Sequence, residues 1–423
     1  MSAILPGVTL LGTKHAVAAL LLSGVLMLSA LDVSVAQAGH AHGGQPQGQS
    51  RALSPQVYQQ LTQVRDLMEQ SQYAAAEKIL HGLLPQLAAR GYEKAIGLQT
   101  LAHVQASRNR YPEAAQSLQE SVALGMLPED VQQQARYDLA QLYLASDAPG
   151  EAVAVLETWF EHADQPPAAA HFLLGAAYVQ LKQYRKAIVP LQRALEASQT
   201  ADETWYQTLL AAHYELASYT GCAEVLEAMV RLFPNRDYWQ QLAGIYLTLK
   251  RDERALATLE LAYRQQRLKR EQDLLQLAQL YLAQDIPFKA AQLLETEMGR
   301  ARVEADAHNL ELLGSAWAAA RERAKAVAAY QRAMRAGADG GIGLYVAQLY
   351  IEDERWQDAA AVLESTLKHG GLIEPGDAWL LLGVARYETG AFDAARSAFD
   401  EAARHQDARS AAEEWLAHLQ KKL

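Results

Sequence analysis

The sequence predicts an all-α fold: antiparallel helix pairs stacked as a solenoid and closed by a C-terminal capping helix. Three observations predict it. Glycine (26) and proline (13) are sparse in a chain of 423 residues that is 50% hydrophobic, which disfavours turn-dense β architectures and disordered or linker-like chains. A small residue inside a helical pattern recurs about every 35 residues, the length of one helix–turn–helix unit. The single cysteine, Cys222, leaves no intramolecular disulfide framework and no cysteine-based zinc or iron–sulfur site to hold another kind of fold together.

The first 38 residues read as a secretory signal peptide. Lys14 precedes an apolar run from Ala16 to Ala30, and the small-residue motif Ala36-Gln-Ala38 follows it. A run of that length is short for a bilayer span of about 20 residues, so cleavage after Ala38 is expected, with no membrane insertion afterwards. An export signal without a lipidation cysteine places the mature chain in the periplasm. Residues 39–54 are a leader rich in His, Gly and Gln, without periodicity. Its His40 and His42, beside a new amino terminus, are the one feature that suggests metal handling. No cofactor is expected elsewhere.

Residues 55–404 hold about ten helical hairpins. The strings Leu174-Gly-x-x-Tyr178, Leu242-Ala-x-x-Tyr246, Leu277-Ala-x-x-Tyr281, Leu313-Gly-x-x-Trp317 and Val346-Ala-x-x-Tyr350 are each followed at near-constant distance by an alanine: Ala187, Ala255, Ala290, Ala326 and Ala359. A bulky apolar residue stands four places beyond each alanine: Leu191, Leu259, Leu294, Tyr330 and Leu363. The small position of the first helix recurs at Ala140, Gly175, Ala211, Ala243, Ala278, Gly314, Ala347 and Gly383. Large residues at i, i+3 and i+7 form one helical stripe aimed at the partner helix, and the small residues let the two backbones approach. Cys222 falls at a small-residue slot, so it reads as a buried substitute for alanine. Residues 405–423 close the chain as an amphipathic cap with Trp415 and Leu419 inward.

This pattern resembles the tetratricopeptide repeat, W-x₂-L-G-x₂-Y followed by A-x₃-F and A. The nearest copies are Trp239-x₂-Leu242-Ala243-x₂-Tyr246 with Ala255, Leu259 and Ala262, and Trp379-x₂-Leu382-Gly383 with Phe392, Ala395, Phe399 and Ala402. The resemblance implies a right-handed superhelix of these pairs and a protein-binding scaffold rather than an enzyme, with the first helix of each pair lining a groove. Carried over slot by slot, the groove comprises Tyr137, Gln141 and Leu144; Phe172, Ala176 and Val179; Trp205, Thr208, Ala212 and Glu215. It continues with Gln240, Gly244 and Leu247; Leu275, Gln279 and Leu282; Leu344, Gln348 and Ile351; and Leu380, Val384 and Tyr387. These slots lack the Lys, Arg and Asn with which some repeats of this kind clamp a C-terminal carboxylate. An apolar segment, its backbone read by glutamine amides, is the expected ligand. The competing expectation is that tight winding buries many of these side chains between hairpins.

Composition and spacing exclude other classes. Lys and Arg total 38 against 49 Asp and Glu, a net charge of −11 that signal cleavage does not change, so a nucleic-acid binder is not expected. The Gly-rich stretch Gly337–Gly343 reads as a loop between hairpins and lacks the Lys-Ser or Lys-Thr of a phosphate loop. The histidines are scattered, with no His-x₃-His pair on one helix, and no catalytic residues can be nominated.

Four further strings are similar to an exported gammaproteobacterial family of tetratricopeptide proteins encoded beside TonB, ExbB and ExbD. They are Pro234-Asn-Arg-Asp-Tyr-Trp239-x₂-Leu242, Leu280-Tyr-Leu-Ala-Gln-Asp-Ile-Pro287-x-Lys-Ala-Ala291, Gly370-Gly-Leu372 leading to Pro375-Gly-x-Ala-Trp379, and Ser410-Ala-Ala-x-x-Trp415-Leu. That likeness implies an accessory of TonB-dependent energy transduction and iron uptake, touching periplasmic segments of TonB or ExbD. The alternatives are an assembly factor for another envelope machine, such as exopolysaccharide export, pilus or peptidoglycan synthesis, and a metal-handling protein working through the histidine leader.

Overall fold

A computed structural model describes residues 53–422 apart from 90, 201, 235–236, 338–339, 371 and 373. The signal segment and the His40/His42 leader lie outside the described residues. Those described form 21 α-helices and no strands. The chain divides into two compact units, Met1–Tyr238 and Trp239–Leu423.

The first unit holds α1 (Pro55–Glu69), α2 (Tyr73–Leu83), α3 (Tyr92–Ser107), α4 (Tyr111–Leu124), α5 (Glu129–Ala145), α6 (Pro149–Phe160), α7 (Ala168–Gln180), α8 (Tyr184–Ala197), α9 (Glu203–Glu215) and α10 (Tyr219–Leu232). The second holds α11 (Tyr238–Thr248), α12 (Asp252–Arg264), α13 (Glu271–Ala283), α14 (Pro287–Gly299), α15 (Ala307–Ala319), α16 (Arg323–Arg335), α17 (Gly340–Glu352), α18 (Trp356–His369), α19 (Gly376–Glu388), α20 (Phe392–Ala402) and α21 (Arg409–Lys422). Odd-numbered helices are the first of each pair.

Every pair is closed by the same turn. The residue two places after the first helix is left-handed in all ten: Ser71, Asn109, Asp147, Lys182, Ala217, Lys250, Asp285, Arg321, Glu354 and Gly390. The amide that follows donates back to a carbonyl of the helix's last turn, as from Gln183 to Tyr178 and from Ile286 to Tyr281, both at 2.8 Å. The left-handed residue's own amide bonds one residue further on, as from Lys182 to Val179 at 2.9 Å. Together these satisfy carbonyls that the helix end leaves without partners. Proline at the start of α1, α6 and α14 presets the helical φ where no amide donor is needed.

This shared turn fixes the register of each hairpin and corrects one assignment. Ser218 donates to His213 as Gln183 donates to Tyr178, so His213 matches Tyr178, and the small slot of the fifth hairpin falls on Leu210 rather than Ala211. Leu210 is 1% exposed. The close approach is supplied instead from α10, where a Cβ on Gly221 would meet the His213 ring at 2.3 Å. Cys222 is fully buried on the same helix, and burial pushes its thiol up to about 11, as expected of a packing residue.

The other small slots behave as the spacing implies. A Cβ on Gly175 would meet Leu191 at 2.5 Å, one on Gly314 the Tyr330 ring at 2.6 Å, and one on Gly383 the Phe399 ring at 2.4 Å. Ala140, Ala243, Ala278 and Ala347 are fully buried, as are Ala187, Ala255, Ala290, Ala326, Ala359 and Ala395 opposite. The Gly337–Gly343 stretch is not wholly a loop: α17 begins at Gly340, and Gly343 packs so tightly on Thr366 of α18 that a Cβ there would sit 1.9 Å from its Oγ1.

The last helix caps the second unit. Trp415 stacks on Phe399 with centroids 5.5 Å apart and planes at 11°, and Leu419 is fully buried. Asp407, in the preceding turn, accepts the Asp377 backbone amide at 3.2 Å, which caps the start of α19.

Candidate protein-binding face

The first helices carry two different surfaces in the two units. Helix α3 of the first unit buries polar Gln99, Thr100 and Gln105 along with its apolar residues, and every residue of α7 from Ala170 to Val179 is buried or half-buried. Contacts that skip a helix join first helices here, α1 with α3, α5 with α7 and α7 with α9, which draws this face shut.

Several expected groove residues of the first unit are therefore core. Phe172 is fully buried and stacks on Trp205 of the next pair, 4.8 Å between centroids at 7°, while Ala176, Val179 and Ala212 are also fully buried and Thr208 is 1% exposed. Phe172 is withdrawn as a ligand contact for that reason. Trp205 keeps part of its surface but spends its ring on Phe172. Tyr137 is half-buried against Trp159, 5.5 Å between centroids, and Gln141 bonds its hydroxyl.

Burial shifts Asp138 and His103 of this unit in opposite directions. Asp138, 8% exposed, has its carboxyl pushed up to about 6 by burial, partly opposed by the Gln134 amide that donates to it at 2.8 Å. Burial pulls the His103 imidazole down to about 4, and its Nε2 has no hydrogen-bond partner.

The second unit keeps its first-helix face open. Leu275, Leu344 and Leu380 are half-buried and keep part of their surface, as do Leu247, Leu282, Ile351 and Val384, and Gln279 and Gln348 are exposed. Gln240 is half-buried and donates to Asp273 at 3.0 Å, so its amide is committed to the neighbouring pair rather than to a ligand. Tyr387 is 9% exposed, beneath Trp415 and His418 of the cap, with its hydroxyl 3.0 Å from His418 Nε2. It too is withdrawn from the contact surface, because the capping helix covers it.

The sequence reading passed over α15. Glu311 and Ser315 lie exposed at the slots that neighbouring first helices fill with Leu275 and Gln279 on one side and Leu344 and Gln348 on the other, and His308 lies exposed one turn before Glu311. The 36-residue step from Leu275 to Glu311 and the 33-residue step on to Leu344 were the signals available.

On the opposite side of these hairpins, cations lie over the aromatic rings that end the first helices. Lys289 Nζ is 5.5 Å from the Tyr281 ring centre and Lys325 Nζ is 4.2 Å from that of Trp317. Glu297 of α14 is fully buried, accepting from Tyr263 at 2.7 Å, Arg302 at 2.5 Å and Arg300 at 3.0 Å. Burial alone would raise its carboxyl, but the bonds from Arg302 and Tyr263 outweigh burial and hold it below the ordinary range. Among the described residues no group of three or more His, Cys, Asp or Glu could hold a metal ion, and no helix is long and apolar enough to cross a membrane.

Tetratricopeptide repeat family models match residues 100–166, 168–200 and 347–415. The chain carries tetratricopeptide repeats. The matched segments span α3 to α8 and α17 to α21, in both units. No curated protein matches the sequence. Among solved structures, a tetratricopeptide repeat protein from Parabacteroides merdae ATCC 43184 is 16% identical over 70% of this chain and 98% of that one, with a TM-score of 0.37. YrrB, described as a TPR protein with an unusual peptide-binding site, is 21% identical over 39% of this chain and 83% of its own, with a TM-score of 0.33. The Cut9–Hcn1 hetero-tetramer of the APC/C is 14% identical over 83% of this chain and 79% of its own, with a TM-score of 0.28.

Proposed function

We propose that this tetratricopeptide protein is an exported scaffold whose second unit holds a segment of a partner protein along its first-helix face. The observation that carries the reading is the solvent access of Gln279 and Gln348 beside the half-buried Leu275, Leu344 and Leu380 on first helices of the second unit, where α7 of the first unit buries Phe172 and Ala176 at the same slots. Half-buried leucines supply apolar area to be covered, and amides can pair with the backbone of an extended segment.

The apolar run and small-residue motif of the first 38 residues support a periplasmic setting. Within it, the four strings similar to the family encoded beside TonB, ExbB and ExbD favour a role as an accessory of TonB-dependent transport. Purified mature protein should bind the isolated periplasmic region of TonB or of ExbD, and Leu344→Glu should abolish that binding. Absence of binding to either, with capture of a synthase or pilus subunit from envelope extracts through the same face, would move the scaffold to another envelope machine.

A further inference from the structure

From the α15 interruption of the apolar face we infer that the second unit selects an extended segment with a lysine or arginine at its centre and an apolar residue about three positions away on each side. This inference rests on the groove reading above and adds the ligand's pattern to it.

Leu275 and Leu282 on α13, and Leu344 and Ile351 on α17, are half-buried apolar side chains. Between them α15 presents Glu311, exposed, at the same slot as the two leucines. No lysine or arginine occupies the corresponding slots of α11, α13, α15, α17 or α19, so nothing on this face competes for a cation. An aromatic ring stands nearby. Tyr345, 41% exposed, sets its ring edge on Tyr330, 5.3 Å between centroids at 79°, and the Tyr330 hydroxyl lies 3.1 Å from Ser315 Oγ, one turn along α15 from Glu311. A carboxylate beside an exposed phenol ring attracts a cation through charge and through the ring face.

Spacing gives the rest of the pattern. Helices in direct contact lie about 10 Å apart, so successive first helices of this unit are separated by at least about that distance, which an extended chain covers in about three residues. A strand crossing from α13 to α17 therefore places apolar residues on the flanking helices when its cation meets Glu311. An anionic residue at the centre would meet Glu311 as a like charge, which is how a face of this kind rejects as well as accepts.

Fluorescein-labelled peptides of sequence Gly-Ser-Leu-Gly-Ser-Lys-Ser-Gly-Leu-Ser-Gly, and the same peptide with Glu for Lys, test this against the mature full chain by fluorescence anisotropy. The Lys peptide should bind about tenfold more tightly than the Glu peptide, Glu311→Lys should reverse that order, and Leu275→Ser with Leu344→Ser should abolish both. Equal affinity for the two peptides, lost in the double serine variant, would leave the groove standing and overturn the central cation. No binding of either peptide, or binding that survives the double serine variant, would overturn the groove itself.

Discussion

Gly383 of α19 lies against the Phe399 ring of α20 so closely that a Cβ on the glycine would stand 2.4 Å from Cδ1 and Cε1. The same relation joins Gly175 to Leu191 and Gly314 to Tyr330, and it sets how near the two helices of a pair can come. A methyl group therefore changes the hairpin, not only the residue.

Gly383→Ala and Gly175→Ala should each destabilise their unit by about 1–3 kcal/mol, the cost of overpacking a well-filled core. Gly82, in α2 with nothing within 4 Å of a built Cβ, should behave oppositely: Gly82→Ala should stabilise by about 0.5–1 kcal/mol through helix propensity. Urea melts of the three variants check the opposed signs.

Ala217 holds a left-handed turn at φ 50° with a Cβ that this conformation disfavours. Ala217→Gly should therefore stabilise the first unit by up to about 1 kcal/mol despite the entropy glycine adds to the unfolded chain. A shift of the denaturation midpoint to higher urea at unchanged slope is the expected reading.

Asp138 and His103 make opposite contributions to the pH dependence of stability. Burial raises the Asp138 carboxyl from 3.8 to about 6, so the folded state pays for its charge above pH 6 and recovers stability as the pH falls toward 4. Burial lowers His103 from 6.5 to about 4, so its contribution, full above pH 6.5, is lost as the pH falls through that window. Asp138→Asn should raise stability at pH 7 by about 1–3 kcal/mol, and it should lose more stability than the wild type between pH 7 and pH 5. Melting curves at the two pH values check both.

Glu297 and Arg302 should respond asymmetrically. Arg302→Met leaves a fully buried carboxylate with Arg300 and Tyr263 alone and should cost about 2–4 kcal/mol, whereas Glu297→Gln removes the buried charge and should cost about 1 kcal/mol. The Glu297 carboxyl is held below its ordinary 4.5, so the stability it contributes is present above that pH and is lost on acidification through the folded-state value. Denaturation of both variants at pH 7, and of the wild type at pH 3, measures these terms.

The hairpins were legible because packing dictates them: a small residue must face a large one at fixed spacing, and that requirement survives in sequence. Register within the run Leu209-Leu210-Ala211-Ala212 was not legible, since the small Ala211 draws the pattern one place away from Leu210, which fills the slot with a large side chain. Exposure was harder still. Phe172 and Leu275 occupy corresponding slots, yet the first is fully buried and the second half-buried, because exposure depends on how closely successive first helices pack. The turns hid for a different reason: Lys182, Arg321 and Glu354 adopt left-handed backbone that their residue types do not advertise.

The most direct test pairs thermal melting with partner binding in the Leu275→Glu, Leu344→Glu double variant. Both side chains are only half-buried, so melting within a few degrees of the wild type, with binding to the TonB or ExbD periplasmic region and to the Lys-centred peptide lost, is the predicted result. A large fall in melting temperature would make these leucines part of the core, and retained binding at an unchanged melting temperature would place the partner elsewhere.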